Sequence, residues 1–299
     1  MPPWRPKVSR DLSYLRSTRA ENPSAISDAL ASRSRRPLIH GDGKLMILAC
    51  DHPARGSLSV GSEPMAMADR EELLNRLADG LTTPGVDGLL ATPDLIDDLV
   101  LWGVLEDKIV IGSLNRGGIR GASFELDDRF GSYTVPSLVS QRLDGAKTLT
   151  RIDLNDSGTA NTLESTAHAV NQAAEAGLPI MIEPFMSARH DGSVVNDLSP
   201  DAVISSMAIV SGLGESSAYT WLKIPYVQEM DRVMRATTLP TLILGGDPGA
   251  ETSDRYVDWR HAMSLDGVRG LVVGRSLLYP PDGAAQDAVA RAVDVVHGT

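Results

Sequence analysis

Tyr219-Thr220-Trp221-Leu222-Lys223-Ile224-Pro225 reads as a buried β-strand with a lysine inside it. The chain has 28 basic residues but only five lysines, Lys7, Lys44, Lys108, Lys147 and Lys223. A sequence that prefers arginine this strongly, yet sets a lysine in an apolar strand, points to a need for an amine. Arginine cannot lose its proton near neutral pH and cannot attack a carbonyl. A desolvated lysine can. The plainer reading, a lysine ion-paired at a strand end, stays open on this segment alone.

Seven other short apolar runs surround this one. In chain order the eight are 44–50, 88–91, 108–112, 147–154, 179–185, 220–224, 240–244 and 270–273. Helix-length stretches lie between them. In Glu71 to Leu81, Leu73, Leu74, Leu77 and Leu81 fall on one side. Leu163 to Ala176 follows Asn161-Thr162, a plausible cap, and Pro200 to Ser211 follows Ser199 with proline at the first helical position. Val227 to Thr237 and Asp287 to His297 complete the set, with a turn at Pro280 to Gly283. Strands alternating with helices imply βαβ units and a parallel sheet. Eight units predict an α/β protein with a closed (β/α)8 TIM barrel. The alternative, an open doubly wound sheet, lacks the G-x-G-x-x-G fingerprint after its first strand.

The barrel is expected over residues 38–299, preceded by an N-terminal helical arm over residues 1–37. The arm contains a helix from about Asp11 to Ser32, broken by Pro23. It is rich in Arg and Ser and lacks an apolar centre, so it is not a secretory signal. It reads as a solvated arm or a contact between subunits of a homo-oligomer. The net charge of -11 and pI of about 5.0 argue against nucleic acid or an anionic membrane as partner. No apolar run approaches the roughly 18 residues of a membrane span. The single cysteine, Cys50, forms no intrachain disulfide and fits a cytoplasmic location.

Barrel active sites collect where strands end at the C-terminal face. Those ends carry Asp51-His52, Asn115-Arg116, Arg151 and Asp153, Glu183, Lys223, Gly245-Gly246-Asp247, and Gly274-Arg275-Ser276. Period-two alternation puts Lys147, Leu149, Arg151 and Asp153 on one face, Glu183 with Met181, and Lys223 with Trp221. Asp51, Arg151 or Asp153, Glu183 and Lys223 can therefore converge as an acid/base array around an amine. Gly245, Gly246, Gly274 and Arg275 suggest a phosphate cradle, with glycine amides open to an anion and a guanidinium to clasp it. No histidine spacing suits a metal, and no cofactor is expected.

Four segments carry a resemblance in order: Ala49-Cys50-Asp51-His52, Ile182-Glu183-Pro184, Trp221-Leu222-Lys223-Ile224-Pro225, and Gly270-Leu271-Val272-Val273-Gly274-Arg275-Ser276. With Leu242-Ile243-Leu244-Gly245-Gly246, they resemble the class I aldolases of the fructose-bisphosphate, tagatose-bisphosphate and deoxyribose-phosphate superfamily. The chain looks closest to actinobacterial (β/α)8 proteins of inositol catabolism. The resemblance implies a Schiff-base lysine at Lys223 and phosphate loops after the last two strands. It implies a carbon–carbon lyase acting on a phosphorylated keto sugar or keto sugar acid. One such substrate is 6-phospho-5-dehydro-2-deoxygluconate, giving dihydroxyacetone phosphate and malonate semialdehyde. In that reading Glu183 and Asp51 move protons and Arg151 holds the substrate. Two departures stand out. The strand-four lysine of the tagatose-bisphosphate type meets Thr150-Arg151 here, with Lys147 earlier, and the strand-five tyrosine of archaeal members meets Glu183. An isomerase or epimerase on the same barrel, or a non-catalytic sugar-phosphate sensor, are the competing expectations.

Overall fold

The computed structural model describes residues 10–115, 117–246, 254–281 and 283–298. Arg116, Asp247 and Asp282 of the strand ends and turns named above lie outside the described residues, as do residues 1–9 of the arm.

Among the described residues nine strands form: β1 (Leu45–Cys50), β2 (Gly88–Ala91), β3 (Ile109–Ser113), β4 (Gly145–Ile152), β5 (Ile180–His190), β6 (Ser193–Asn196), β7 (Thr220–Pro225), β8 (Thr241–Leu244) and β9 (Val268–Val273). Eight of them close a parallel barrel in the order β4-β3-β2-β1-β9-β8-β7-β5, sealed by β4 against β5. The ninth, β6, returns antiparallel along the far end of β5, Ser187 opposite Asn196. This hairpin extends the fifth predicted strand past the barrel rim and was absent from the strand pattern.

The helices are α1 (Leu12–Glu21), α2 (Ser24–Ser32), α3 (Arg70–Thr82), α4 (Pro93–Leu101), α5 (Val135–Ser140), α6 (Gly158–Ala176), α7 (Pro200–Ser211), α8 (Met230–Met234), α9 (Arg255–Met263), α10 (Arg275–Leu278) and α11 (Ala285–His297). Among the described residues no helix is long and apolar enough to cross a membrane.

Alternation along the strands divides the core. Leu45, Ile47, Leu90, Ile111, Met181 and Leu242 fill the barrel interior, with Leu38 and Trp221 packed against them. The intervening residues, such as Met46, Leu48, Ile182, Leu222 and Ile224, join the outer cluster beneath the helices. A strand buried on both faces needs this near-continuous apolar run.

Several local expectations change. Helix α6 begins at Gly158, so Asn161-Thr162 is not its cap. Thr162 is buried and ties the β3–α5 loop instead, donating to Leu126 O (2.8 Å) and accepting from Asp128 N (2.9 Å). The helix expected over Val227–Thr237 shrinks to α8, preceded by Glu229 in the left-handed region at φ 56°. Pro93-Asp94-Leu95 opens α4, a nine-residue helix too short to stand out by periodicity. Ser199 does cap α7, accepting from Ala202 N.

Over residues 10–37 the arm packs one face against the barrel and leaves the other exposed. Leu15, Ala25, Ala29 and Leu30 are buried in the outer core. The buried Arg33 guanidinium donates to Lys108 O, Arg142 O and Asp144 Oδ2 at 2.6, 3.0 and 2.9 Å. Arg36 pairs with Asp87. Asp87 and Asp144 also accept from Met46 N and Val110 N, at the strand starts. The arm thus fastens the end of the barrel opposite the polar strand ends, and Leu38 plugs its interior.

Candidate active site

Directly above the apolar plug, the inward positions become charged. Asp51 follows Ala49 and Ile47 along β1. Lys147 sits on β4, Glu183 follows Met181 on β5, and Lys223 follows Trp221 on β7. All four are buried, Lys147 and Lys223 to within 1% and 2% exposure. Such depth requires partners.

The partners are each other. Lys223 Nζ donates to Glu183 Oε1 at 2.9 Å. The other Glu183 oxygen, Oε2, lies 2.5 Å from Lys147 Nζ. Lys147 Nζ also donates to Asp51 Oδ2 at 3.0 Å, and Ser113 Oγ donates to the same oxygen at 3.1 Å. Two ammonium groups and two carboxylates therefore alternate in a chain, Lys223–Glu183–Lys147–Asp51. Burial alone pushes the Glu183 carboxyl up, but Lys147 and then Lys223 outweigh it and hold it well below 4.5.

His52 lies beside this chain at the barrel mouth, its Nδ1 3.8 Å from Asp51 Oδ1. Desolvation in the narrow mouth pushes its pKa down to about 3. The Asp51 charge opposes the shift, and Arg275 and Lys223 reinforce it. His52 is therefore neutral at physiological pH.

Both shifts make the fold acid-sensitive. Unfolded, His52 takes a proton below about pH 6.5, and the folded protein does not until about 3. Unfolded, Glu183 takes one below about 4.5, while the folded carboxyl stays ionised further down. In each window the unfolded chain binds more protons, so stability present above it is lost as pH falls. The slope is at most about 1.4 kcal/mol per pH unit for each proton. Urea unfolding across about pH 4 to 8 is expected to show this decline, and His52→Asn to flatten its upper part. A His52→Asn profile parallel to wild type contradicts the assignment.

The other predicted site residues fall elsewhere around the rim. Arg151 is buried but its terminal nitrogens serve Glu125, donating to Oε1 (2.5 Å) and to the backbone O (2.8 Å). Asp153 accepts from Asn155 N at 2.9 Å and shapes the turn after β4. Their hydrogen bonds go to these loops and not to the lysine chain. Gly245 and Gly246 follow β8, and Gly274 follows β9. A Cβ on Gly274 would fall 2.3 Å from Ala49 O, and Gly246 adopts φ +68°, so both positions favour glycine. Ser276 Oγ donates to Gly245 O at 3.4 Å and links the two strand ends. Arg275 reaches across to Ser59 O at 3.3 Å. Helix α10, which opens directly after Gly274, has four residues.

Lys147 is the main addition. Sequence reading placed it on the inward face of its strand but looked for the strand-four lysine beside Arg151. The structure puts it four residues earlier, between Asp51 and Glu183. The rarity argument that singled out Lys223 applies equally to this second lysine. Asn115 was noted only as a strand end; it bonds both backbone groups of Leu149 and clamps β3 to β4. Glu125 gave no short-range signal, because its role is set by the fold of the 114–134 loop. Among the described residues no group of three or more His, Cys, Asp and Glu side chains is arranged to hold a metal ion.

The family described as Cgl0159-like matches residues 43–293. The chain belongs to the Cgl0159-like family. A crystal structure of Cgl0159 from Corynebacterium glutamicum is similar at 57% identity, covering 98% of this chain and 99% of that one, with a TM-score of 0.94. More distant likenesses are to aldolases. An archaeal fructose-1,6-bisphosphate aldolase, solved with its catalytic Lys covalently bound to the carbinolamine intermediate, is 20% identical over 91% of this chain and 100% of that one, TM-score 0.58. A fructose-bisphosphate aldolase from Slackia heliotrinireducens is 14% identical over 91% and 83%, TM-score 0.57. At such identities the likeness is one of fold, the (β/α)8 barrel. No curated protein matches the chain.

Proposed function

We propose that this Cgl0159-like protein is a class I aldolase, a carbon–carbon lyase that forms a Schiff base through Lys223. The observation that carries the reading is the Lys223–Glu183–Lys147–Asp51 chain, buried at the catalytic face of the barrel. A nucleophilic amine needs a group to take its proton and later return one. Glu183 contacts Lys223 directly and fits that task.

In the proposed reaction the Lys223 amine adds to the substrate ketone. Glu183 protonates the carbinolamine hydroxyl, which leaves as water, and an iminium remains. Asp51 accepts the proton of the hydroxyl whose carbon becomes the aldehyde. The carbon–carbon bond breaks, and its electron pair moves into the iminium to give an enamine. Protonation of the enamine and hydrolysis return the amine. Lys147 balances the charge of both carboxylates throughout. A Glu183 that accepts from two ammonium groups supports this reading over an isomerase or epimerase, in which it would abstract a carbon-bound proton.

The substrate is proposed as a phosphorylated keto sugar or keto sugar acid, in the cytoplasm. The finer choice, 6-phospho-5-dehydro-2-deoxygluconate, rests on the sequence resemblance. Release of dihydroxyacetone phosphate across a panel of such compounds tests both levels. Release from none of them sinks the lyase reading and favours a sensor.

Arg275, with the Gly246 and Gly274 backbone, is proposed to hold the substrate phosphate. Arg275→Ala is then expected to lower kcat/KM for a phosphorylated substrate by about 1.5–3 kcal/mol more than for its unphosphorylated analogue. Equal losses for the two forms would assign Arg275 to the fold and move the phosphate elsewhere.

A further inference from the structure

Ser113 is a polar residue at an apolar depth. It ends β3, and the inward residues below it, Ile109 and Ile111, belong to the barrel interior. It is fully buried. A hydroxyl at such depth costs stability unless it is hydrogen-bonded, and alanine would fill the position without that cost. Ser113 Oγ donates across the barrel to Asp51 Oδ2 at 3.1 Å, past β2, which lies between β3 and β1 in the sheet. The backbone beneath it is clamped. The pairing of β3 with β4 ends at Ser113 opposite Lys147. Beyond it Leu114 N donates to Lys147 O at 2.9 Å, and the Asn115 side chain takes both backbone groups of Leu149. Ser113 O accepts from Tyr133 N at 3.4 Å. The hydroxyl therefore projects from a fixed stretch of chain.

Asp51 stands one residue past Cys50, the last residue of β1 paired with β2. Its Oδ2 accepts from Lys147 Nζ at 3.0 Å as well as from Ser113, so donors from β4 and β3 meet on one oxygen. An ammonium on a flexible stem attracts a carboxylate as a point charge and does not fix its plane. A hydroxyl on a one-carbon side chain supplies a second, short-leashed direction. Together the two donors set the rotation of the carboxyl group, with Oδ1 on the side of His52 and the barrel mouth.

We propose that Ser113 is a positioning residue for Asp51, holding its carboxyl at the angle from which it exchanges a proton with the substrate oxygen at the scissile bond. The inference rests on the Schiff-base lyase reading and concerns one half of that reaction. In condensation the enamine electrons on Lys223 form the carbon–carbon bond with the acceptor aldehyde. The carbonyl π pair moves onto its oxygen and takes the proton of Asp51, and an iminium remains on Lys223. In cleavage the hydroxyl returns that proton to Asp51, its O–H pair becomes the carbonyl bond, and the carbon–carbon electrons re-enter the enamine. Both directions need a carboxyl oxygen aligned with the reacting oxygen. Imine formation from the ketone alone is served by Glu183 and does not call on Asp51. Ser113 touches no reacting atom, and its effect passes through Asp51.

Three variants test it. Ser113→Ala removes the hydroxyl. Ser113→Thr keeps it and adds a methyl group, and Ser113→Val has the shape of threonine without the hydroxyl. Urea unfolding establishes that each is folded. Two rates are compared. One is condensation of dihydroxyacetone phosphate with malonate semialdehyde or glyceraldehyde 3-phosphate, using whichever the wild type takes faster. The other is borohydride trapping of the dihydroxyacetone phosphate imine, which needs no aldehyde. Ser113→Ala is expected to lose condensation by about 10–10²-fold, the scale of a misaligned reacting group, and to stay within about threefold of wild type in trapping. Ser113→Thr is expected to condense about tenfold or more faster than Ser113→Val, which separates the hydroxyl from the added bulk. Condensation at the wild-type rate in Ser113→Ala overturns the proposal. So do equal rates for the threonine and valine variants, or an equal fall of trapping and condensation, which would make Ser113 a part of the fold alone. A wild type that traps no imine, or joins it to neither aldehyde, overturns the lyase reading itself and the role of Ser113 with it.

Discussion

Lys223→Arg is expected to lower turnover by roughly 10⁴-fold or more, the scale of loss when a covalent nucleophile is removed, while the barrel still folds. The replacement keeps a cation opposite Glu183, and a guanidinium pairs well with a carboxylate. What it removes is an amine that can exist unprotonated. The neighbours of Lys223 are Trp221 below it and Glu183 beside it, so the larger head group must be fitted toward the open mouth. Lys223→Met, shorter and uncharged, controls for a steric defect. Far-ultraviolet circular dichroism and urea unfolding establish that each variant is folded. Substantial turnover by a folded variant of either kind contradicts an imine at this position.

Glu183→Gln is the second large effect. The carboxylate separates two ammonium groups, at 2.9 Å from Lys223 and 2.5 Å from Lys147. An amide of the same shape leaves those charges facing one another, with the Asp51 carboxylate beside Lys147. Breaking a buried ion network from one side costs about 3–5 kcal/mol of stability. Losing an acid/base group typically costs about 10²–10⁴-fold in rate. Borohydride quenching of a single turnover should locate the defect before carbon–carbon cleavage, at imine formation. A Glu183→Gln protein that forms the imine as fast as wild type would remove Glu183 from the mechanism and leave it only a structural role.

The fold was legible because barrel strands announce themselves locally. Runs such as Leu45–Cys50 and residues 270–273 are apolar on both faces, and eight of them spaced by helices leave few alternatives. The helices were less visible where they were short. Pro93–Leu101 holds too few turns for a 3.6-residue period to emerge. The β5–β6 hairpin was missed because its pairing, Ser187 with Asn196, depends on a return of the chain that alternation does not encode. The packed face of the arm was hidden for a related reason. Arg33 and Arg36 look like solvated charge until Asp144 and Asp87 are brought to them from more than fifty residues away.

In the site, Lys223, Glu183 and Asp51 could be found together from strand position alone. Lys147 could have joined them, since it shares their inward face and its apolar strand. Arg151 and Asp153 could not be excluded from the centre in the same way. Alternation gives the face of a strand but not the height along it, and their partners Glu125 and Asn155 come from loops.

The central claim is that Lys223 forms a covalent imine with a ketone substrate. Its most direct test is to treat the full-length protein with borohydride in the presence of dihydroxyacetone phosphate, digest it, and locate the adduct by peptide mass spectrometry. The account predicts permanent loss of activity that requires the ketone, with a single reduced adduct on the peptide containing Lys223 and none in Lys223→Arg. An adduct on Lys147 instead, or full activity after borohydride in the presence of the ketone, contradicts it.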